Sequence, residues 1–211
     1  MDQTRTFSRE CLTDGPEGAP LVALAHGAGA PMDSPFLATV AAGLAARGLR
    51  VVRFEFPYMA ARRRGERRPP DREPVLRATW SAVADELGGA SKVVFAGKSL
   101  GGRIASLVAD ELGARAVVAF GYPFHPPKEP AKLRTAHLAE LTTPMLILQG
   151  TRDPFGGREE VASYRLSPAI ELHWLEDGDH SFVPRVRSGH TEGEHWASAV
   201  AAAAAFIDRL G

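Results

Sequence analysis

The amino-acid sequence predicts an α/β fold: a mostly parallel, twisted sheet with helices on both faces, built as one domain over residues 1–211. Three observations carry this. Short apolar runs alternate with segments of helical period along most of the chain, the pattern of a parallel sheet covered on both sides. The length suits one well-buried core and is short for two. No internal repeat and no linker divides the chain.

Each element follows from local pattern. Leu21 to Ala25 is the first strong strand. Ser34-Pro35 reads as an N-cap with proline at the first helical position, Leu37, Val40 and Leu44 share one face, and Gly48 is the stop. Leu49 to Phe54 is the next strand. Asp71 opens a helix in which Leu76, Trp80, Val83 and Leu87 recur at helical spacing until Gly88-Gly89. Lys92 to Ala96 is a short buried strand. The helix from Leu100 sets Ile104, Leu107, Val108 and Leu112 on one face before Gly113. Ala116 to Phe120 and Met145 to Gln149 are two more strands.

Their connection contains Pro123, Pro126, Pro127 and Pro130, so its first half forms no regular helix. The remainder, Ala131 to Leu141, has room for one helix of roughly 15 Å, too little for a cap domain. Ile170, Leu172 and Trp174 alternate in the last strand. Thr191 and Glu194 have capping-box spacing for a final alanine-rich helix ending near Leu210, whose small side chains suit close packing on the sheet.

Composition excludes several classes. The formal net charge is +0, which gives no global attraction to nucleic acid or to acidic membranes. Cys11 has no partner for an internal disulfide, and no CxxC pair or other metal motif appears, so neither metal nor cofactor is expected. Met1 to Glu10 is polar and charged and lacks the apolar core of a secretory signal. Gly18 to Met32 has no charged residue but is too short to span a bilayer. A cytoplasmic protein is the default.

The chemistry centres on Gly97-Lys98-Ser99-Leu100-Gly101, a G-x-S-x-G sequence. The match alone is weak, since composition would supply about 0.1 such matches in a chain of this kind. Its place between a buried strand and an amphipathic helix strengthens it, because a sharp turn there exposes the serine and only glycine fits the crowded backbone. The rival phosphate-loop reading of Gly97-Lys98-Ser99 fails, because Lys92 stands where another glycine is required. In a strand-turn-helix site of this kind the chain order is serine, acid, histidine. Asp153, just beyond the Met145 to Gln149 strand, and His180, past the last strand, satisfy that order. Asp177 and Asp179 read as turn formers. His173 lies within a strand, and His190 and His195 read as surface or capping groups. His26, His125 and His137 precede the acid and break the order.

His26-Gly27-Ala28-Gly29-Ala30 follows the first strong strand, where the backbone N–H of Ala28 is expected as one oxyanion donor and that of Leu100 as the other. As a dinucleotide fingerprint the segment lacks its third glycine. His26, Tyr122 and His125 are assigned to substrate binding; a surface-loop position is the competing reading for Tyr122, Phe124 and His125. Arg62, Arg63, Arg64, Arg67 and Arg68 read as a solvated basic loop. Lys98 and Arg103 are expected to orient loops near the serine.

Together these segments resemble the α/β-hydrolase superfamily, and in particular its small dienelactone-hydrolase-like members. Leu24-Ala-His-Gly-Ala-Gly-Ala30, Phe54-Glu-Phe-Pro-Tyr-Met59, Gly97-Lys-Ser-Leu-Gly-Gly-Arg103, Gly121-Tyr-Pro-Phe-His-Pro-Pro127 and Gln149-Gly-Thr-Arg-Asp-Pro-Phe-Gly156 resemble a narrower group. These are small bacterial predicted hydrolases related to testis-expressed and histone-acetyltransferase-complex subunits of animals. Dienelactone hydrolases use a cysteine nucleophile where Ser99 stands, so their lactone substrate does not carry over. The expectation is a metal-free serine hydrolase of small soluble esters or thioesters without a lid. Its rival is a catalytically silent interaction module, as the animal subunits imply.

Overall fold

The computed structural model describes residues 9–211; most of the Met1 to Glu10 segment lies outside them. Seven strands form one sheet among the described residues: β1 (Cys11–Asp14), β2 (Leu21–Ala25), β3 (Arg50–Phe54), β4 (Val93–Lys98), β5 (Ala116–Phe120), β6 (Met145–Gly150) and β7 (Ile170–Leu175). Their order is β1-β3-β2-β4-β5-β6-β7, with β1 antiparallel to β3 and every other pair parallel. The chain steps from β2 to β3 on one side, then crosses to β4 on the other. The carboxyl ends of β2 and β4 therefore flank the point where strand order reverses, the place where open α/β sheets bind ligands.

Side chains alternate across the strands into two apolar layers. Val93 and Phe95 of β4 face one core, whereas Val94 and Ala96 face the other. The first layer is closed by α3 (Glu73–Glu86) and α4 (Leu100–Leu112), whose Leu76, Trp80, Ile104 and Val108 are buried. The second is closed by α1 (Pro35–Ala45) and α6 (Glu192–Asp208). Thr191 and Glu194 complete the expected capping box on α6. Two short helices, α2 (Pro57–Arg63) and α5 (Arg158–Val161), add Tyr58, Met59 and Val161 to the first layer.

Several local expectations need correction. The helix expected from Asp71 starts at Glu73, because the Asp71 carboxylate instead accepts from Tyr58 N (2.8 Å) in the first turn of α2. The segment Ala131 to Leu141 holds only a 3₁₀ turn, Ala136–Ala139; upstream, Arg134 N donates to Phe124 O rather than to a helix. Arg62 and Arg63 end α2 rather than lying in a solvated loop, and Arg63 bridges Asp33 and the buried Glu55. His195 is buried rather than superficial, its Nδ1 2.8 Å from Phe182 O. No helix in the described part is long and apolar enough to cross a membrane. The β5–β6 connection builds no cap over the sheet.

Candidate active site

The sharp turn at Ser99 is made by close packing around it. Ser99 sits at φ 49°, ψ −110° between β4 and α4, a conformation that costs a non-glycine residue of order 1–3 kcal/mol and persists only when its surroundings dictate it. They do. A Cβ on Gly97 would lie 2.4 Å from Gly101 C, and one on Gly101 would lie 2.7 Å from His26 O. Ser99 N donates to Phe120 O (3.0 Å), and Ser99 O accepts from Arg103 N. The hydroxyl makes no capping bond to the helix; it lies 2.9 Å from His180 Nε2.

His180 Nδ1 in turn lies 2.8 Å from Asp153 Oδ2. An ionised carboxylate only accepts, so Nδ1 carries the proton and Nε2 is left free to accept from the serine. Asp153 is buried and saturated: Oδ2 also accepts from Gln149 Nε2 (2.9 Å), and Oδ1 accepts from Phe155 N (2.8 Å). Gln149 is held on its other side by Tyr122, donating to Tyr122 O and accepting from Tyr122 N. Sequence reasoning passed over Gln149. Its signal was a lone polar residue at the end of the apolar run Met145 to Leu148, since a polar group buried in a central strand must have partners. The three residues thus form a continuous hydrogen-bonded relay from carboxylate to hydroxyl.

The loop after β2 is held from behind. His26 Nε2 accepts from Phe56 N (3.0 Å), so Nδ1 donates to Gly27 O (2.6 Å). Tyr58 OH lies 3.2 Å from both Gly27 O and Ala28 O, and Arg62 Nη1 donates to Ala28 O. In a trans peptide the N–H points away from the carbonyl, so clamping Gly27 O also fixes the direction of Ala28 N–H. Tyr58 and Arg62 arrive from α2, some thirty residues away, and neither the Phe54 to Met59 segment nor the arginine run pointed to this contact.

The three residues assigned to substrate binding do not line the cavity. His26 is fully buried as part of this clamp, and burial holds its imidazole below the ordinary pKa, hence neutral. Tyr122 turns into the core beside Phe124, its hydroxyl donating to Arg134 O. His125 is buried against Pro126 O and Glu160. His26 and Tyr122 follow strand ends and His125 lies further along the β5–β6 connection, and in each case the chain turns the side chain back into the protein.

A cavity of about 680 Å³ opens beside Ser99 and His180. Its wall is aromatic and apolar, with Phe36 and Leu37 from α1, Trp196 from α6 and Phe155 from the acid-bearing loop. Ala28 and Lys98 also reach it. Phe155 lies against the His180 ring, centroids 4.2 Å apart. Burial lowers the His180 pKa from its ordinary value most strongly; the Asp153 hydrogen bond opposes this, and the Lys98 charge adds to it. Among the described residues no group of three or more His, Cys, Asp or Glu is placed to hold a metal ion.

Comparison with known proteins agrees with this architecture. A family model described as an alpha/beta hydrolase domain matches residues 18–208. A serine hydrolase without lid from Xanthomonas campestris superposes with a TM-score of 0.70 at 19% identity, covering 94% of this chain and 88% of that one. Est1E from Butyrivibrio proteoclasticus gives 0.71 at 15% identity, covering 95% and 93%. A dienelactone hydrolase from Anabaena variabilis gives 0.69 at 22% identity, covering 94% and 90%. At these identities the likeness is one of fold.

Proposed function

The chain belongs to the alpha/beta hydrolase domain family, and from that premise we propose that it is a serine hydrolase cleaving small soluble esters or thioesters through an acyl-enzyme. One observation supports this above the others: the unbroken relay Asp153–His180–Ser99, with links of 2.8 and 2.9 Å, ending on a hydroxyl that faces a cavity. Ser99 Oγ attacks the ester carbonyl while His180 Nε2 takes its proton, and Asp153 stabilises the imidazolium. The backbone N–H groups of Ala28, on the clamped loop, and of Leu100, in the free first turn of α4, stabilise the oxyanion. His180 then protonates the leaving group, and water repeats the sequence to release the acid. Within the family we place the chain beside the small bacterial hydrolases related to testis-expressed and histone-acetyltransferase-complex subunits, on the five motif segments given above.

Fluorophosphonate labelling tests the proposal directly. Intact-mass analysis should show one adduct on the folded wild-type protein and none on Ser99→Ala. No adduct on the wild type would sink the reading.

The pH profile follows from the site's electrostatics. Neutral His180 is the active form, and its pKa lies below 6.5, so kcat/KM should already be rising below that pH and level off near neutrality. A window of roughly pH 6 to 8, which an ordinary histidine would give, is therefore moved toward acid. A midpoint at or above 7 would contradict the environment described for the ring.

Acyl length gives a further expectation. The cavity is open and uncapped, so a long chain soon runs out of apolar wall, and each added methylene gains less than the roughly 0.8 kcal/mol of full burial. p-Nitrophenyl acetate or butyrate should exceed the palmitate ester in kcat/KM, without activation at a lipid interface. A rate that climbs steadily to sixteen carbons would reveal an apolar groove beyond the one described.

A further inference from the structure

Lys98, the residue before the nucleophile, has a use that the relay does not explain. Its Nζ donates to His180 O at 2.5 Å, joining the end of β4 to the loop that carries the histidine, 82 residues away in sequence. The ammonium rests between two aromatic faces, 5.3 Å from the Phe182 centroid and 6.0 Å from that of Phe36. Room for the contact is left by Gly121 at the end of β5. That glycine sits at φ +69°, and a Cβ there would lie 2.7 Å from Nζ and 3.0 Å from His180 O. A half-buried cation held by a carbonyl, two rings and a glycine-lined gap is a built arrangement, since an ammonium partly withdrawn from water is retained only with compensating partners.

We propose that Lys98 is a positioning residue: its ammonium clamps the His180 backbone carbonyl, fixes the imidazole against Ser99, and opposes a second positive charge on the ring. The inference rests on the hydrolase reading for its consequence in turnover, but not for the contact itself. The charges facing His180 are Asp153 at Nδ1, Asp179 next in the chain, and Lys98; Glu192 stands at the cavity wall. Lys98 is the cation of this group, and its charge depresses the histidine while the two carboxylates raise it. Burial pushes Lys98 itself down to about 8, against the pull of Asp153 and Asp179, so it remains charged throughout the pH range in which His180 titrates. The cation therefore keeps the base unprotonated to lower pH and holds it in register with the hydroxyl.

The test is a histidine titration by NMR, beside ester hydrolysis, in wild-type protein and Lys98→Met. The variant keeps an unbranched apolar stem out to Cε and removes the charged donor, Nζ, that reaches His180 O. The His180 Cε1–H midpoint should rise by about one pH unit in Lys98→Met, and the acid limb of kcat/KM should move with it. The plateau kcat should fall on the order of tenfold as the ring loses its anchor. A folded Lys98→Met protein with the His180 midpoint unmoved overturns the proposal. Should that variant fail to fold, the wild-type titration still decides. The His180 resonance must show a second inflection on the alkaline side of neutrality as Lys98 loses its proton, and a titration with no second inflection before the protein unfolds in alkali overturns the inference. Wild-type protein that hydrolyses no ester and takes no fluorophosphonate fails the hydrolase reading instead, and leaves the NMR result for Lys98 intact.

Discussion

Alanine in place of Ser99 or His180 should lower ester hydrolysis by on the order of 10⁴-fold or more in kcat/KM, with the double variant scarcely worse than either single one. The reason is the relay's geometry. Without His180 the serine hydroxyl has no acceptor for its proton, and without Ser99 the histidine has no nucleophile to activate. On the proposed mechanism, what remains is positioning and oxyanion stabilisation by the loop after β2 and the first turn of α4. Both changes should leave the fold intact. Ser99 Oγ makes no capping bond, so its loss removes only the hydroxyl and leaves the strained turn held by its glycines. His180 is only partly buried, and truncation enlarges a cavity that is already open. Circular dichroism and thermal melting check this, and the rates are measured on a soluble aryl acetate. Additive losses in the double variant would mean that the two residues do not act on the same step. Full activity in either single variant would place the chemistry elsewhere.

Much of the site was legible because it is local in sequence. The strand, the Gly97 to Gly101 turn and the following helix are consecutive, and packing around glycine leaves few other conformations. Asp153 and His180 follow from the order in which such chains place their groups after successive strands, and the structure sets His180 beside Ser99 and Asp153 beside His180. What was not legible depends on contacts between distant elements. A loop residue at a strand end can face the cavity or turn back, and His26, Tyr122 and His125 all turn back. The cavity wall comes from Phe36 and Trp196 on helices at opposite ends of the chain, which only the tertiary fold brings together. Arg63 looked like one of five similar arginines. Only the fold reveals that Glu55 and Asp33 stand within its reach.

Asparagine at Asp153 should cost about 10³- to 10⁴-fold in kcat/KM, whereas Asp177→Asn and Asp179→Asn should cost far less. The side chain at Asp153 faces three donors. His180 Nδ1 and Gln149 Nε2 share Oδ2, and Phe155 N takes Oδ1. An asparagine of the same shape must turn its NH₂ toward one side or the other. Facing Phe155, it sets donor against donor on the loop that walls the cavity. Facing His180, it favours the tautomer protonated at Nε2, which no longer accepts from Ser99. Either way a buried donor is left unmatched or the base is disarmed. Asp179 behaves differently, because its Oδ1 accepts from the N–H groups of Ser181 and Val183, a role an amide oxygen keeps. Asp177 is held well below the usual carboxylate range by Arg185, with Arg152 adding to it. It ties the histidine loop to Arg185 and Arg152, so its loss should appear as a lower melting temperature before it appears in turnover. Rates and melting curves for the three variants separate these roles. Equal losses of activity across all three would show that the acid has been misassigned, and a Asp153→Asn protein of near wild-type rate would leave the carboxylate as a structural pillar of the loop.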